Sequence, residues 1–130
     1  MQFRQIVCYI AGPLSAPTAE AREANIRSAE ALACAVWDAG AVALCPHSIA
    51  RHYTGSLPES AWLAGDLELL RRCDALILVP GWEQSVGTRG EVEAAHQRGQ
   101  PVLTDLAQLR GWLARQMPID RGGGSGNGDY

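Results

Sequence analysis

Two acidic residues are placed where acids are expensive. Asp66 lies in a segment whose apolar residues are Trp62, Leu63, Leu67 and Leu70. It follows Trp62 by four positions and precedes Leu70 by four, so on a helix it falls inside the apolar stripe. A carboxyl there is destabilising unless it is paired or put to use, and desolvation pushes it toward the protonated acid. A buried Asp that caps a loop or pairs with an Arg fits the pattern equally well. Glu91 closes the run Thr88-Arg89-Gly90-Glu91, which matches a Ser/Thr-x-x-Glu capping box, a complete structural explanation in itself. Glu91 also shares a helix face with Val92 and Ala95, which turns it toward a sheet, and a helix N-terminus favours its ionised form. A carboxylate and a carboxylic acid held apart in pKa are the nucleophile and the acid of glycoside cleavage.

The segment that carries Glu91 sets the frame. Cys73 to Glu91 reads as a short apolar run, a loop rich in turn-formers, and the opening of a helix. Strand, Gly-containing loop and helix N-terminus, in that order, build anion and nucleotide sites in α/β proteins. Ser85, Gly87 and the backbone amides from Val86 to Thr88 could cradle a phosphate, or form an ordinary turn. Trp82 either stacks on a base or covers the loop. Gly12 permits a close ligand approach at the end of the first strand, or a tight turn before Pro13. Tyr9, on that strand, either presents its hydroxyl to the cleft or belongs to the core. Arg22 and Asn25, in the opening turns of the next helix, read as solvated or capping residues.

The elements follow from periodicity and from caps. Ile6–Ile10 is a buried strand ending at Ala11-Gly12-Pro13. Thr18 caps a helix from Ala19 to Ala39, with Ile26, Ala29, Ala33, Val36 and Trp37 at helical spacing and Gly40 as its stop. Ala41–Cys45 is a second strand, and His47–Leu57 reads as a loop of undefined form that could hide a strand. Pro58 opens a helix to about Arg72. Ala75–Val79 is a strand buried on both faces. A helix runs from about Thr88 to Arg98, with Gly99 as its cap; Pro101–Leu103 is a strand. Thr104–Met117 is a last helix, with Leu106, Leu109, Leu113 and Met117 on one face.

Alternating strands and helices with long crossovers predict an α/β fold. The expected form is a flavodoxin- or Rossmann-like three-layer sandwich, with a parallel sheet of four or five strands and helices on both faces. Residues 1–118 form its single domain. Residues 119–130 are expected to be a disordered tail; from Gly122 to Tyr130 it holds five glycines and no aliphatic side chain. Ligands of such sheets bind beyond the carboxyl ends of the strands, where the turns after the first three strands meet.

Composition narrows the partners. The net charge is −3 and no basic run exceeds two residues, which argues against polymeric nucleic acid. No stretch approaches the roughly 18 apolar residues of a membrane span, and the first residues lack a signal-peptide layout. The four cysteines, Cys8, Cys34, Cys45 and Cys73, have no CxxC spacing, as expected of a reduced cytoplasmic chain with buried thiols. His47 and His52, five apart, are a weak metal signal.

These residues resemble a known family. Tyr9-Ile-Ala-Gly-Pro13, Asp66 placed eight before Asp74, Ser85-x-Gly87-x-x-x-Glu91 and Ala94-Ala95 are similar to the nucleoside 2-deoxyribosyltransferase superfamily. The likeness covers roughly Ile6 to Leu103. It extends to small bacterial and phage members with a Pro-Gly-Trp loop and to nucleoside monophosphate N-glycosidases. The resemblance implies hydrolysis of the N-glycosidic bond of a nucleoside 5′-monophosphate or related nucleoside, with deoxyribosyl transfer and non-catalytic nucleotide sensing as alternatives. It assigns Glu91 as the nucleophile, Asp66 as the acid that assists the leaving base, and Tyr9 as the residue that orients Glu91. Ser85 and Gly87 match the loop that holds a 5′-phosphate. It implies no metal, no organic cofactor, and a homodimer or higher homo-oligomer.

Two departures are visible. The turn after the first strand, Gly12-Pro13-Leu14-Ser15, has no Arg until Arg22, whereas the hydrolase branch often carries Ser and Arg there. The Gly-rich tail offers no match to the C-terminal residue that transferases lend to a neighbouring subunit. A second resemblance is partial: Pro80-Gly81 and Gly87-Thr88-x-x-Glu91 are similar to the motif of cytokinin-activating phosphoribohydrolases, with too long a gap between the two pieces.

Overall fold

The computed structural model describes residues 5–53, 55 and 57–116. The elements run β1 (Val7–Ala11), α1 (Ala19–Asp38), β2 (Val42–Leu44), α2 (Pro46–His52), α3 (Glu59–Arg71), β3 (Ala75–Leu78), α4 (Val86–Gln97), β4 (Val102–Leu103) and α5 (Leu106–Gln116). A single 3₁₀ turn, Trp82–Gln84, precedes α4. The four strands form one parallel sheet in the order β2-β1-β3-β4. With helices on both faces, this is the expected three-layer α/β Rossmann-like fold.

Side-chain parity divides the core. Cys8 and Ile10 of β1 pack with Ala29, Ala33 and Val36 of α1 and Leu109 of α5. Tyr9 and Ala11, pointing the other way, pack with Leu70 of α3 and Ala95 of α4. Successive strand residues face opposite sides, so Tyr9 is committed to the α3/α4 layer by its position alone. The chain leaves β1 through α1 on one face and leaves β3 through α4 on the other. The crevice between the carboxyl ends of β1 and β3 is therefore the topological switch point, where open α/β sheets bind ligands.

Local chemistry explains the element ends. The Thr18 hydroxyl oxygen accepts from the Ala21 amide and starts α1, and Gly40 at φ +102° ends it. Trp37, grouped with the apolar stripe by spacing, is instead 56% exposed. The buried positions are 26, 29, 33 and 36, and residue 37 lies about 100° further round the helix.

The loop expected over residues 47–57 contains α2 and no strand among its described residues; the sheet of the described residues has four strands. Pro46 opens α2 at its first position. Its far side docks on α1: Arg51 bonds Glu23 at 2.7 Å and Glu30 at 2.9 Å, and Ser48 donates to Glu30 at 2.7 Å. Helix α4 begins at Val86, two residues before the expected start. Met117 and the Gly-rich tail lie outside the described residues. Among the described residues no helix is long and apolar enough to cross a membrane.

Candidate active site

The site is built on β1, α3 and α4. Tyr9 is 1% exposed, and its phenol donates a hydrogen bond to Oε2 of Glu91, itself 8% exposed. Glu91 lies on the inward face of α4 with Thr88 and Ala95. The capping box is not formed. Ser85 is the N-cap instead: its Oγ accepts from the Thr88 amide at 3.2 Å and from the Thr88 hydroxyl at 2.9 Å. Glu91 is thus the sixth residue of α4, is not used by the cap, and is spent on Tyr9.

Electrostatics follow from burial. Desolvation pushes Glu91 up to about 7, the Asp66 charge adds to this, and the Tyr9 hydrogen bond works against it. Asp66 is half-buried and is pushed up to about 6 by desolvation. The Tyr9 hydroxyl is held far above the ordinary phenol range by burial and by the Glu91 and Asp66 charges. Asp66 therefore moves in the expected direction, but Glu91 moves further. The expectation that the helix N-terminus would keep Glu91 ionised is overturned, because the dipole acts mainly within the first turn and Glu91 lies beyond it.

The expected core-facing stripe of α3 is also corrected. Leu63 and Leu67 are 42% and 40% exposed, and Leu70 is the buried residue of that helix. Asp66 stands at the rim of the layer, where it feels desolvation and can still be reached from outside.

The remaining candidates fall around this cluster. A Cβ on Gly12 would stand 2.5 Å from Cβ of Val79, so the glycine is required by the chain's own packing. A Cβ on Gly87 would meet only Leu63 Cδ2, at 3.5 Å, so nothing in the protein demands a glycine there. Trp82 is partly buried and packs against the cluster that contains Tyr9 and Leu70. Ser85 faces the helix it caps. Asn25 donates to the Leu14 carbonyl at 3.1 Å and so holds the turn after β1.

One residue has a place in the site that the sequence did not show. His47, paired with His52 as a weak metal signal, is 4% exposed, and its Nε2 donates to the carbonyls of Gly12 at 3.1 Å and Pro13 at 3.0 Å. His52 is exposed. The only sequence signal was a His directly after Pro46 at the end of a strand. All four cysteines are free; Cys8 and Cys73 are buried and Cys34 is exposed.

Fold and site together define a class: a Rossmann-like α/β protein with a buried Tyr–Glu pair and a second raised-pKa carboxyl at its switch point. The family model described as "Domain of unknown function (DUF4406)" matches residues 6–104, and the chain belongs to that family. Two solved structures are similar. One is a conserved protein from Enterococcus faecalis V583, with a TM-score of 0.59 and 22% identity over 76% of this chain; the chain spans 62% of that protein's length. The other is a 2-deoxyribosyltransferase from the psychrotolerant bacterium Bacillus psychrosaccharolyticus, with a TM-score of 0.54, 20% identity, 78% of this chain and 79% of the other covered. At these identities the likeness is one of fold. No curated protein matches the sequence significantly.

Proposed function

We propose that the protein cleaves the N-glycosidic bond of a nucleoside or nucleoside 5′-monophosphate through a covalent glycosyl-enzyme. The observation that carries this reading is the buried Tyr9–Glu91 pair with Asp66 close enough to raise both groups. The motif resemblance to the nucleoside 2-deoxyribosyltransferase superfamily and the fold shared with a 2-deoxyribosyltransferase support it.

The chemistry divides into two displacements. Ionised Glu91 attacks C1′ of the sugar through Oε1 while Tyr9 holds Oε2. The bond to the base breaks and Asp66 gives its proton to the departing base nitrogen, leaving a glycosyl ester on Glu91. A second nucleophile then attacks C1′, returns a proton to Asp66 and frees the Glu91 carboxylate. If that nucleophile is another base the reaction is deoxyribosyl transfer, which the superfamily favours. If it is water, the reaction is hydrolysis. Ser85, Gly87 and the backbone amides of Val86 and Gly87 at the start of α4 would meet a 5′-phosphate, the Thr88 amide being bonded to Ser85, and Trp82 would border the base. Assembly into a homo-oligomer and a cytoplasmic setting belong to the same proposal.

A panel of nucleosides and their monophosphates, read by base release with and without a second free base, tests this. Base release that survives Glu91→Ala would sink the mechanism. A new nucleoside on addition of the second base assigns transfer; release without one assigns hydrolysis. Tight nucleotide binding with no turnover assigns a sensing module.

A further inference from the structure

We infer that His47 is a positioning residue of the candidate site: it fixes the turn after β1 through the Gly12 and Pro13 carbonyls. This rests on the proposed nucleoside site and extends it to a residue outside the Tyr9–Asp66–Glu91 cluster.

The turn begins directly above the reacting groups. Gly12 follows Tyr9 by three residues and lies at the carboxyl end of β1, against Val79 at the corresponding end of β3. A ligand at the switch point would border this turn. Three contacts hold it: the close approach of Gly12 to Val79, Asn25 on the Leu14 carbonyl, and the forked hydrogen bond from His47.

The chemistry of His47 argues that its donor is what matters. Carbonyl oxygens only accept, so Nε2 must carry the proton, and Nδ1 is left as a bare acceptor. That Nδ1 is buried without a partner among the described residues. An unsatisfied buried acceptor is destabilising, so a leucine or phenylalanine would fill the same volume more cheaply. Burial also favours the neutral ring; the Pro13 and Gly12 hydrogen bonds and Glu30 oppose that effect, and Arg22 adds to it. The ring is held from behind. Helix α2 is clamped to α1 through Arg51 and Ser48 on Glu23 and Glu30, so His47 sits at the inner end of a fixed strut.

The test compares His47→Phe, which keeps shape without a donor, with His47→Gln, whose side-chain amide can place an N–H near the Nε2 position. Amide exchange at Gly12 and Leu14, nucleoside Kd, and KM and kcat for base release are measured well below each variant's Tm. For His47→Phe we expect faster exchange at the turn and Kd and KM raised about tenfold or more, with kcat changed far less, because the turn borders the ligand and not the Tyr9–Asp66–Glu91 cluster. His47→Gln is expected to stay close to the wild type in all of these. A His47→Phe variant with unchanged Kd and KM, whether or not its turn loosens, overturns the inference, and so does His47→Gln behaving like His47→Phe. A wild type that binds nucleosides without releasing base removes the catalytic reading alone, because exchange and Kd still decide the role of His47.

Discussion

Tyr9 and Glu91 stand 82 positions apart in the chain and share a buried hydrogen bond, with the phenol donating to Oε2 of the carboxyl group. The bond engages one carboxyl oxygen, Oε2, and leaves Oε1 outside it. It also opposes the desolvation that pushes Glu91 up to about 7.

Tyr9→Phe removes that opposition. Glu91 should then titrate higher still, and less of it is ionised at neutral pH. A hydrogen bond to a charged group contributes roughly 1.5–3 kcal/mol, so kcat at pH 7 should fall about 10- to 100-fold. The measurement is the pH dependence of kcat, whose maximum should fall and whose alkaline limb, set by the higher Glu91 value, should move upward. An unchanged limb would show that the phenol does not tune Glu91.

Base release should have a bell-shaped pH dependence. The productive form carries ionised Glu91 and protonated Asp66, while burial pushes Glu91 up to about 7 and Asp66 up to about 6. That form is therefore a minority species, most populated between the two values, and the two limbs belong to the coupled pair. Asp66→Asn should abolish the descending limb and leave the ascending one. A profile in kcat/KM that stays bell-shaped in Asp66→Asn would exclude Asp66 as the acid.

Stability should also report on Glu91. Its folded-state pKa is raised from 4.5 to about 7, so the folded protein holds the proton more tightly than the unfolded chain. The associated stability is fully present below about pH 4.5 and is lost as pH rises through 7. Denaturant melts should show the wild type losing about 3 kcal/mol relative to Glu91→Gln between pH 4 and pH 8. Asp66 adds a smaller effect of the same sign, reduced by its exposure. A constant difference between wild type and variant across that range would contradict the assignment.

The two candidate glycines should behave oppositely. Gly12→Ala drives a methyl into Val79 and should lower stability by about 1–3 kcal/mol. Gly87→Ala meets only Leu63, at 3.5 Å, and replaces a glycine inside α4, so it should be neutral or stabilising by about 0.5–1 kcal/mol. If substrate lies over Gly87, that more stable variant should have a raised KM. Urea melts and steady-state kinetics on the pair separate the two roles.

The local pattern in the sequence carried a great deal. Apolar runs bounded by Gly and Pro located the strands, Thr18 and Gly40 bounded α1, and two carboxyls and a tyrosine were already the candidates for chemistry. These are properties of a few neighbouring residues, which is why they can be read without coordinates. Where two local solutions competed, the pattern could not choose. Ser85 and Thr88 are both good caps for α4, and Ser85 won because Thr88, 2% exposed, turns inward and bonds Ser85 instead.

Tertiary structure decided what no neighbouring residue could. The parity of β1 in the sheet turned Tyr9 toward α3 and α4, and the strand order 2-1-3-4 put β1 beside β3, so that α4 could bring Glu91 to it. Burial by the assembled layers raised Glu91, expected to stay ionised, along with Asp66, and the docking of α2 on α1 placed His47 against the turn after β1. The types of the candidate groups were thus legible in the sequence itself. Their pairing, protonation and support depend on distances between residues far apart in the chain, which only the packed sheet sets.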